Sequence, residues 1–357
     1  MALATAVPPY TVAQEDARTL ARSLFREVLR ENQERLLGVF DNSGIQRRSV
    51  SAPLEWFAED HDFAEKNALY VDTAVRLGTE LAERTMAQAG LTPRDVDHLV
   101  FVSSTGLAAP SIDARIANHL GLRGDFRRTP IWGLGCAGGA AGLARAREFA
   151  LASPGSRVLL IALELCTLTF QRGDRSTRNL IASSLFADGA AAALVQGADA
   201  PAPARNGSPA LELRASQSTL WADTLDVMGW TVDGAGLHVV FSRDIPTIVR
   251  ERVRPSLERF LAGQGLALET LDHVVTHPGG MKVLQAYAET LGLPETAFRH
   301  AREVLRDHGN MSSPTCLFVL ERFLAAHAIE EDQDAVIAAL GPGFSSEYVW
   351  LKATRAR

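Results

Sequence analysis

Cysteine is scarce in this chain. Its 357 residues hold three, Cys136, Cys166 and Cys316, too few and too scattered for a disulfide framework and not spaced with histidines as zinc ligands are. Free thiols in a reducing, cytoplasmic setting are expected, with no metal. Concentrated positive charge is missing as well: 36 Lys and Arg stand against 42 Asp and Glu, a formal net charge of -6, and the signs are interleaved. That excludes the basic face on which a nucleic-acid backbone condenses. The most apolar stretches, such as residues 157–165 and 190–195, fall far short of the roughly 20 residues a membrane-spanning helix needs. No transmembrane segment is expected, although a hydrophobic product could still bring the chain near a membrane. Residues 1–15 lack the basic-then-apolar order of an export signal, with Glu15 and Asp16 where its core would lie.

What is present is an ordinary soluble composition, 46% hydrophobic and 22% charged, in a chain long enough for two core-forming units. Helical periodicity marks residues 14–35, 64–89, 137–152, 245–262, 281–291 and 311–326. Between them lie β-rich runs at 98–102, 130–134, 158–165, 190–195, 211–216, 238–241, 273–276, 335–340 and 348–351. This alternation predicts a layered α/β architecture. A Pro, Ala, Gly and Asn cluster at residues 200–209 reads as a connector between halves, 1–205 and 206–357.

The halves resemble each other. Leu91 to Val100 matches Leu266 to Val275, with Asp97-His98 repeated as Asp272-His273, about 175 residues further on. Gly135-Cys136 opening one helix is echoed by Gly309-Asn310 opening another, and the strand at Val158 is echoed at Ala335. In a duplicated α/β protein a pseudo-twofold axis brings equivalent helix starts together, so Cys136 and Asn310 are expected to face one cavity.

The chemistry-bearing residues sit at such corners. Cys136 lies in Gly133-Leu134-Gly135-Cys136-Ala137-Gly138-Gly139, where small neighbours admit an acyl chain or a backbone. A helix N-terminus and an imidazolium partner would both favour the thiolate. The other reading of a cysteine is a small buried apolar residue, which fits Cys166 and Cys316 inside their apolar runs. His277 ends a β-run and precedes Pro278-Gly279-Gly280, a corner that projects a side chain into a site. His98 and His273 repeat each other and read as structural, and His308 as a neighbour of the site or a surface group. Asn310, in Gly309-Asn310-Met311-Ser312-Ser313, reads locally as a helix cap. Cys, His and Asn also form hydrolase centres, so the residue types alone leave the reaction open.

Gly135-Cys136, His277-Pro278-Gly279-Gly280, Gly309-Asn310-Met311-Ser312-Ser313 and Gly341-Pro342-Gly343-Phe344, with Phe186-Ala187-Asp188-Gly189 between them, together resemble type III polyketide synthases, the chalcone synthase family. The likeness runs in order over nearly the whole chain. It implies a thiolase-like fold of duplicated halves in αβαβα layers and a homodimer. It also implies acyl-CoA and malonyl-CoA as substrates, with no cofactor. Cys136 would carry the acyl group, and His277 and Asn310 would hold the malonyl thioester carbonyl as carbon dioxide leaves.

Phe186 matches an aromatic residue between the CoA tunnel and the reaction chamber. Thr105, Cys166, Thr169, Trp230 and Ser312 match chamber positions, as do Gly341, Pro342 and Gly343 of the last motif. Val239 stands where plant members carry a second gating phenylalanine, and Ala109 where they carry a methionine that reaches the partner subunit. Of the basic residues that bind CoA phosphates only Arg35 is matched, and Asn42 replaces another; Arg47 and Arg48 are nearby candidates. Glu164 to Phe170 and Asn179 to Gly189 are similar to bacterial alkylpyrone and alkylresorcinol synthases, implying a fatty acyl starter. An initiating ketoacyl-carrier-protein synthase, a cysteine hydrolase and a non-catalytic acyl-binding protein are the competing readings.

Overall fold

The computed structural model describes residues 2–29, 33–201, 210–242 and 244–354. Among the described residues, thirteen strands fall into two large sheets and two ribbons. In the first half β1 (Ala2–Ala6) is followed by a ribbon of β2 (Tyr10–Ala13) and β3 (Arg47–Val50), then by β4 (His98–Val102), β5 (Arg127–Ile131), β6 (Arg157–Leu165) and β7 (Asp188–Gln196). The sheet order is β1-β7-β6-β4-β5. In the second half β8 (Ala210–Leu220) is followed by a hairpin of β9 (Met228–Asp233) and β10 (Gly236–Phe241), then by β11 (His273–Thr276), β12 (Asp334–Gly341) and β13 (Ser345–Thr354). These give the order β11-β12-β13-β8.

The internal repeat is a repeat of structure. β4 runs parallel to β6 with His98 opposite Val158, and β11 runs parallel to β12 with His273 opposite Ala335. In each half the aspartate before the first strand clips the start of its neighbour. Asp97 accepts the Arg157 amide and Asp272 the Asp334 amide, each at 2.8 Å. The repeated histidines are structural in both halves: His98 stacks on Phe149 and bonds Thr129, while His273 meets Phe323 edge-on and bonds Gln333.

Helices Gly138–Ala152 and Thr315–Ala325 lie between the two sheets, touching both and each other. Helices Phe63–Gln88 and Ile112–Leu120 cover one outer face, and Ile245–Ala262 and Met281–Leu291 the other. Because the middle of the first sheet is covered on both sides, its strands β4, β6 and β7 are buried on both faces. Val100, Val102 and Leu160 point to the central layer, and Leu99, Phe101 and Ile161 to the outer helices. The central helices can approach only because the Cys136-bearing one opens on glycines. A Cβ on Gly139 would stand 2.2 Å from the Ser313 carbonyl and 2.8 Å from Cys316 Sγ.

The elements differ from the sequence expectation where tertiary contacts override local periodicity. The helix expected over 14–35 is broken: Gln14–Leu24 and Arg26–Leu29 are separate segments, and Gln33–Asp41 is a further helix. The break lets Phe25 and Leu29 bury against Leu37 and Phe40; residues 30–32 lie outside the described ones. The helix expected from Met311 starts at Thr315, since Ser312 adopts a left-handed backbone with φ 58. Strands β1 to β3, β9 and helices Ile112–Leu120, Thr177–Leu185 and Arg299–His308 were not marked by sequence periodicity. Residues 202–209 of the expected connector lie outside the described residues. Among the described residues no helix is long and apolar enough to cross a membrane.

Candidate active site

Three turns converge between the halves. Cys136 sits in a single 3-10 turn, Gly135–Ala137, just before helix Gly138–Ala152. Gly135 has φ 45, and its missing side chain leaves room for Pro342, whose Cδ would lie 2.9 Å from a Cβ there. Gly341 is equally constrained, since a Cβ would fall 2.5 Å from that of Ala137 and 2.6 Å from the Leu134 carbonyl. The Gly341-Pro342 corner therefore supports the Cys136 turn from the opposite half. Gly343 meets the Thr224 hydroxyl, which donates to its carbonyl at 3.0 Å.

His277 follows β11, and its amide donates to the Ala338 carbonyl at 2.9 Å, which continues the sheet register by one residue. Its imidazole is buried and neither ring nitrogen has a partner among the described residues. Asn310 is held on all sides. Its backbone exchanges hydrogen bonds with Leu185 and Ala187, at 2.9 Å each, pairing it with Phe186. Its Nδ2 donates to the Gly279 carbonyl at 3.1 Å, and its Oδ1 accepts the Ser312 amide at 2.8 Å. Ser312 and Asn310 both act on the Cys136 thiol, lowering its pKa, and Asn310 reaches the His277 turn through Gly279.

Burial decides the resting charges. It pushes the Cys136 thiol up to about 11, with the hydrogen bonds from Ser312 and Asn310 opposing and the Glu164 charge adding to the rise. The thiolate favoured by a helix N-terminus in the sequence reading is therefore corrected for the resting site: desolvation by burial is the largest influence on this thiol. Burial alone pulls His277 down to about 3. Both groups rest neutral.

This has a consequence for acid stability. Unfolded His277 takes up a proton below about 6.5, but folded His277 does so only near 3, so the unfolded state binds more protons in between. Stability from this group is full above 6.5 and falls by about 1.4 kcal/mol per pH unit below it, roughly 2 kcal/mol by pH 5. Glu164, raised to about 7 by burial, works in the opposite sense: its contribution is full at low pH and lost as pH rises through 7. The test is a difference: His277→Gln should lose about 2 kcal/mol less than the parent between pH 7.5 and 5 in urea melts. Equal losses in the two proteins would contradict the assignment.

Glu164 is the residue that sequence reasoning passed over. It is buried in β6, where its Oε2 accepts from the Ser104 amide at 2.8 Å, from Thr105 Oγ1 at 2.8 Å and from Ser103 Oγ at 3.3 Å. A lone carboxylate inside Arg157-Val158-Leu159-Leu160-Ile161-Ala162-Leu163-Glu164-Leu165 was the available signal, because a charge in a doubly covered strand needs donors. Thr105 also accepts the Leu165 amide at 2.9 Å. Its hydroxyl is committed to this network while it lines a small cavity with Thr169.

Phe186, Cys166, Trp230 and Val239 come together as expected. The Phe186 ring meets those of Trp230 at 5.9 Å and Phe241 at 5.6 Å, over Cys166 and Ala182. Phe241, two residues beyond Val239 and on the same strand face, packs against Phe186 as well. Beside this cluster an apolar cavity runs to the inner side of helix Gln14–Leu24, lined by Cys166, Thr169, Phe186, Val239, Leu20 and Phe25 among others.

Arg35 is exposed on helix Gln33–Asp41 and Ala109 is exposed before Pro110. Arg48 corrects the expectation of a phosphate contact. It is buried, donates to the Ser183 and Phe186 carbonyls at 2.8 Å each and bonds Gln14 Oε1, with burial holding it at about 10. It ties the Phe186 strand to the N-terminal ribbon. Cys316 is fully buried against the Ser313 carbonyl, as its apolar context implied. His308 packs edge-on against Phe318, and burial pulls it down to about 4.

The same architecture recurs in known proteins. The family profile for the N-terminal domain of chalcone and stilbene synthases matches residues 1–200, and that for the C-terminal domain matches residues 212–355. The chain belongs to the chalcone and stilbene synthase family: it is a type III polyketide synthase, an acyl-transferring condensing enzyme of thiolase-like fold. A protein of Bacillus subtilis (strain 168) grouped with the chalcone synthases is 41% identical over 99% of this chain and 98% of its own. The 1,3,6,8-tetrahydroxynaphthalene synthase of Streptomyces peucetius subsp. caesius is 38% identical over 98% of this chain and 92% of its own. Among solved structures, the 1,3,6,8-tetrahydroxynaphthalene synthase of Streptomyces coelicolor A3(2) superposes with a TM-score of 0.92 at 29% identity, covering 99% of both chains.

Proposed function

We propose that this polyketide synthase loads a medium- or long-chain fatty acyl-CoA on Cys136 and extends it with malonyl-CoA. The product is released as an alkylpyrone, alkylresorcinol or resorcylic acid. The observation that carries the starter assignment is the apolar cavity between Phe186, Cys166 and Val239 on one side and Leu20 and Phe25 on the other, which suits an alkyl chain better than a charged malonyl group.

In loading, the Cys136 sulfur attacks the acyl-CoA carbonyl and His277 takes the thiol proton. That proton leaves with the CoA thiol, so the neutral resting pair is restored. In extension, the malonyl carboxyl leaves as carbon dioxide and its electron pair becomes an enolate. The enolate oxygen is held by the His277 imidazole and the Asn310 carboxamide, donors already fixed by their surroundings. The enolate carbon attacks the acyl thioester and the Cys136 sulfur leaves. The chemistry calls on no cofactor. The half that carries Cys136, to about residue 205, and the half that carries His277 and Asn310 each contribute one side of the centre. The chain works as a cytoplasmic homodimer.

The test is a product screen by mass spectrometry with malonyl-CoA and starters from acetyl- to palmitoyl-CoA, plus aromatic starters. Turnover of medium and long acyl-CoAs with two or three ketide additions is the expected result. A second reading is favoured by the likeness to 1,3,6,8-tetrahydroxynaphthalene synthases: a hydroxylated naphthalene made without a fatty starter. Turnover of malonyl-CoA alone, with fatty starters idle, would establish it. One added ketide unit would point to an initiating ketoacyl synthase.

A further inference from the structure

Away from the thiol, two cavities meet at one buried ammonium. The small cavity that holds Thr105 and Thr169 is also lined by Lys66 and Gln171. An outer groove beneath the β9–β10 hairpin, with Trp56, Arg172 and His238 in its walls, is lined by the same Lys66 and Gln171. Lys66 stands in the first turn of helix Phe63–Gln88 and is only 8% exposed. Its Nζ donates to the Phe170 carbonyl at 2.8 Å and to Gln171 Oε1 at 3.3 Å. Gln171 in turn donates through Nε2 to the Leu237 carbonyl at 3.1 Å, which closes the neck between the two cavities.

The ammonium has two neutral acceptors and, among the described residues, no carboxylate at ion-pair distance. The two acids whose charges reach it are otherwise engaged. Asp60 takes Arg172 Nη1 on both oxygens at 2.8 Å, and Asp62 caps the helix by accepting the Glu65 amide at 2.8 Å. A neutral donor could tie down the Phe170 carbonyl as well, so the charge is surplus to that task and costly where it lies. An anionic ligand group in the neck would satisfy it.

We propose that Lys66 binds the oxyanion of the released polyketide, a ring oxyanion or a carboxylate, in the neck between Thr105 and the outer groove. The inference rests on the product class proposed above. Lactonisation of a triketide yields a 4-hydroxy-2-pyrone, a vinylogous acid that is ionised at neutral pH, and hydrolytic release yields a carboxylate. The thioester intermediates carry no such charge. Lys66 therefore distinguishes finished product from chains still being extended, and draws it toward the groove once Gln171 swings aside.

The experiment is calorimetric binding of 4-hydroxy-6-heptyl-2-pyrone and its uncharged 4-methoxy ether at pH 7.5. The parent should prefer the anion by about tenfold or more. Lys66→Gln, which keeps a donor for the Phe170 carbonyl, should lose that preference with the ether's affinity unchanged, and Lys66→Arg should retain it. An unchanged preference in Lys66→Gln, an equal loss for both ligands, or no preference in the parent would each overturn the proposal. The starter screen is separate: a Lys66-dependent preference without fatty-acyl turnover removes the proposed product and leaves the site. Fatty-acyl turnover without the preference does the reverse.

Discussion

Cys136→Ala is expected to abolish polyketide formation, by at least about 10³-fold, the scale on which a covalent nucleophile is lost. Acyl-CoA incubated with the parent should leave a mass increment on the peptide that contains Cys136, and the variant should carry none. Cys166 and Cys316 remain in the variant and serve as internal controls. Both are fully buried, and Cys316 faces the Ser313 carbonyl rather than the chamber. Alanine adds no bulk to a turn already crowded by Pro342 and Gly341, so the variant should fold. An increment that persisted, mapping to Cys166, would transfer the nucleophile to the Phe186 cluster and remove the basis of the proposed mechanism.

The second large effect separates decarboxylation from condensation. His277 and Asn310 do not need the sulfur to bind a malonyl thioester, since Asn310 is fixed by Gly279, Ser312, Leu185 and Ala187. Cys136→Ala should therefore still release carbon dioxide from malonyl-CoA. Adding Asn310→Ala should cut that release by about 10² to 10³, the usual cost of losing one donor to a developing oxyanion. Because Asn310 also braces the His277 turn, the unfolding midpoint is measured alongside. Decarboxylation unaffected by Asn310→Ala would leave the carboxamide as a purely structural brace. Decarboxylation lost already in Cys136→Ala would mean that the thiol itself takes part in that step.

The resting charge state ties these outcomes together. With the thiol held up and the imidazole held down by burial, neither group is charged at rest, so the proposed loading step requires a proton transfer from Cys136 to His277.

Much of this was legible in the chain. The repeat of Asp97-His98 as Asp272-His273 foretold two equivalent strands, and both aspartates clip their neighbours in the same way. The glycines around Cys136 foretold a close approach of backbone there, and the β-rich runs at 98–102, 158–165, 190–195 and 335–340 foretold strands β4, β6, β7 and β12. The motifs themselves carried the family. These features are local or periodic, so they are written in consecutive residues.

What only the tertiary structure decided is how remote segments share space. That Arg48 is a buried tie and Glu164 a buried acceptor follows from which donors and acceptors the folded chain brings to them, at sequence separations of 138 and 60. Phe241 meets Phe186 because β10 packs beside it. The thiol's raised pKa comes from burial in the folded chain, and Lys66 lines two cavities that no contiguous segment outlines. Residue order sets the elements and the reactive groups. Desolvation and long-range packing set their charges and partners, because both depend on what lies across the gap rather than along the chain.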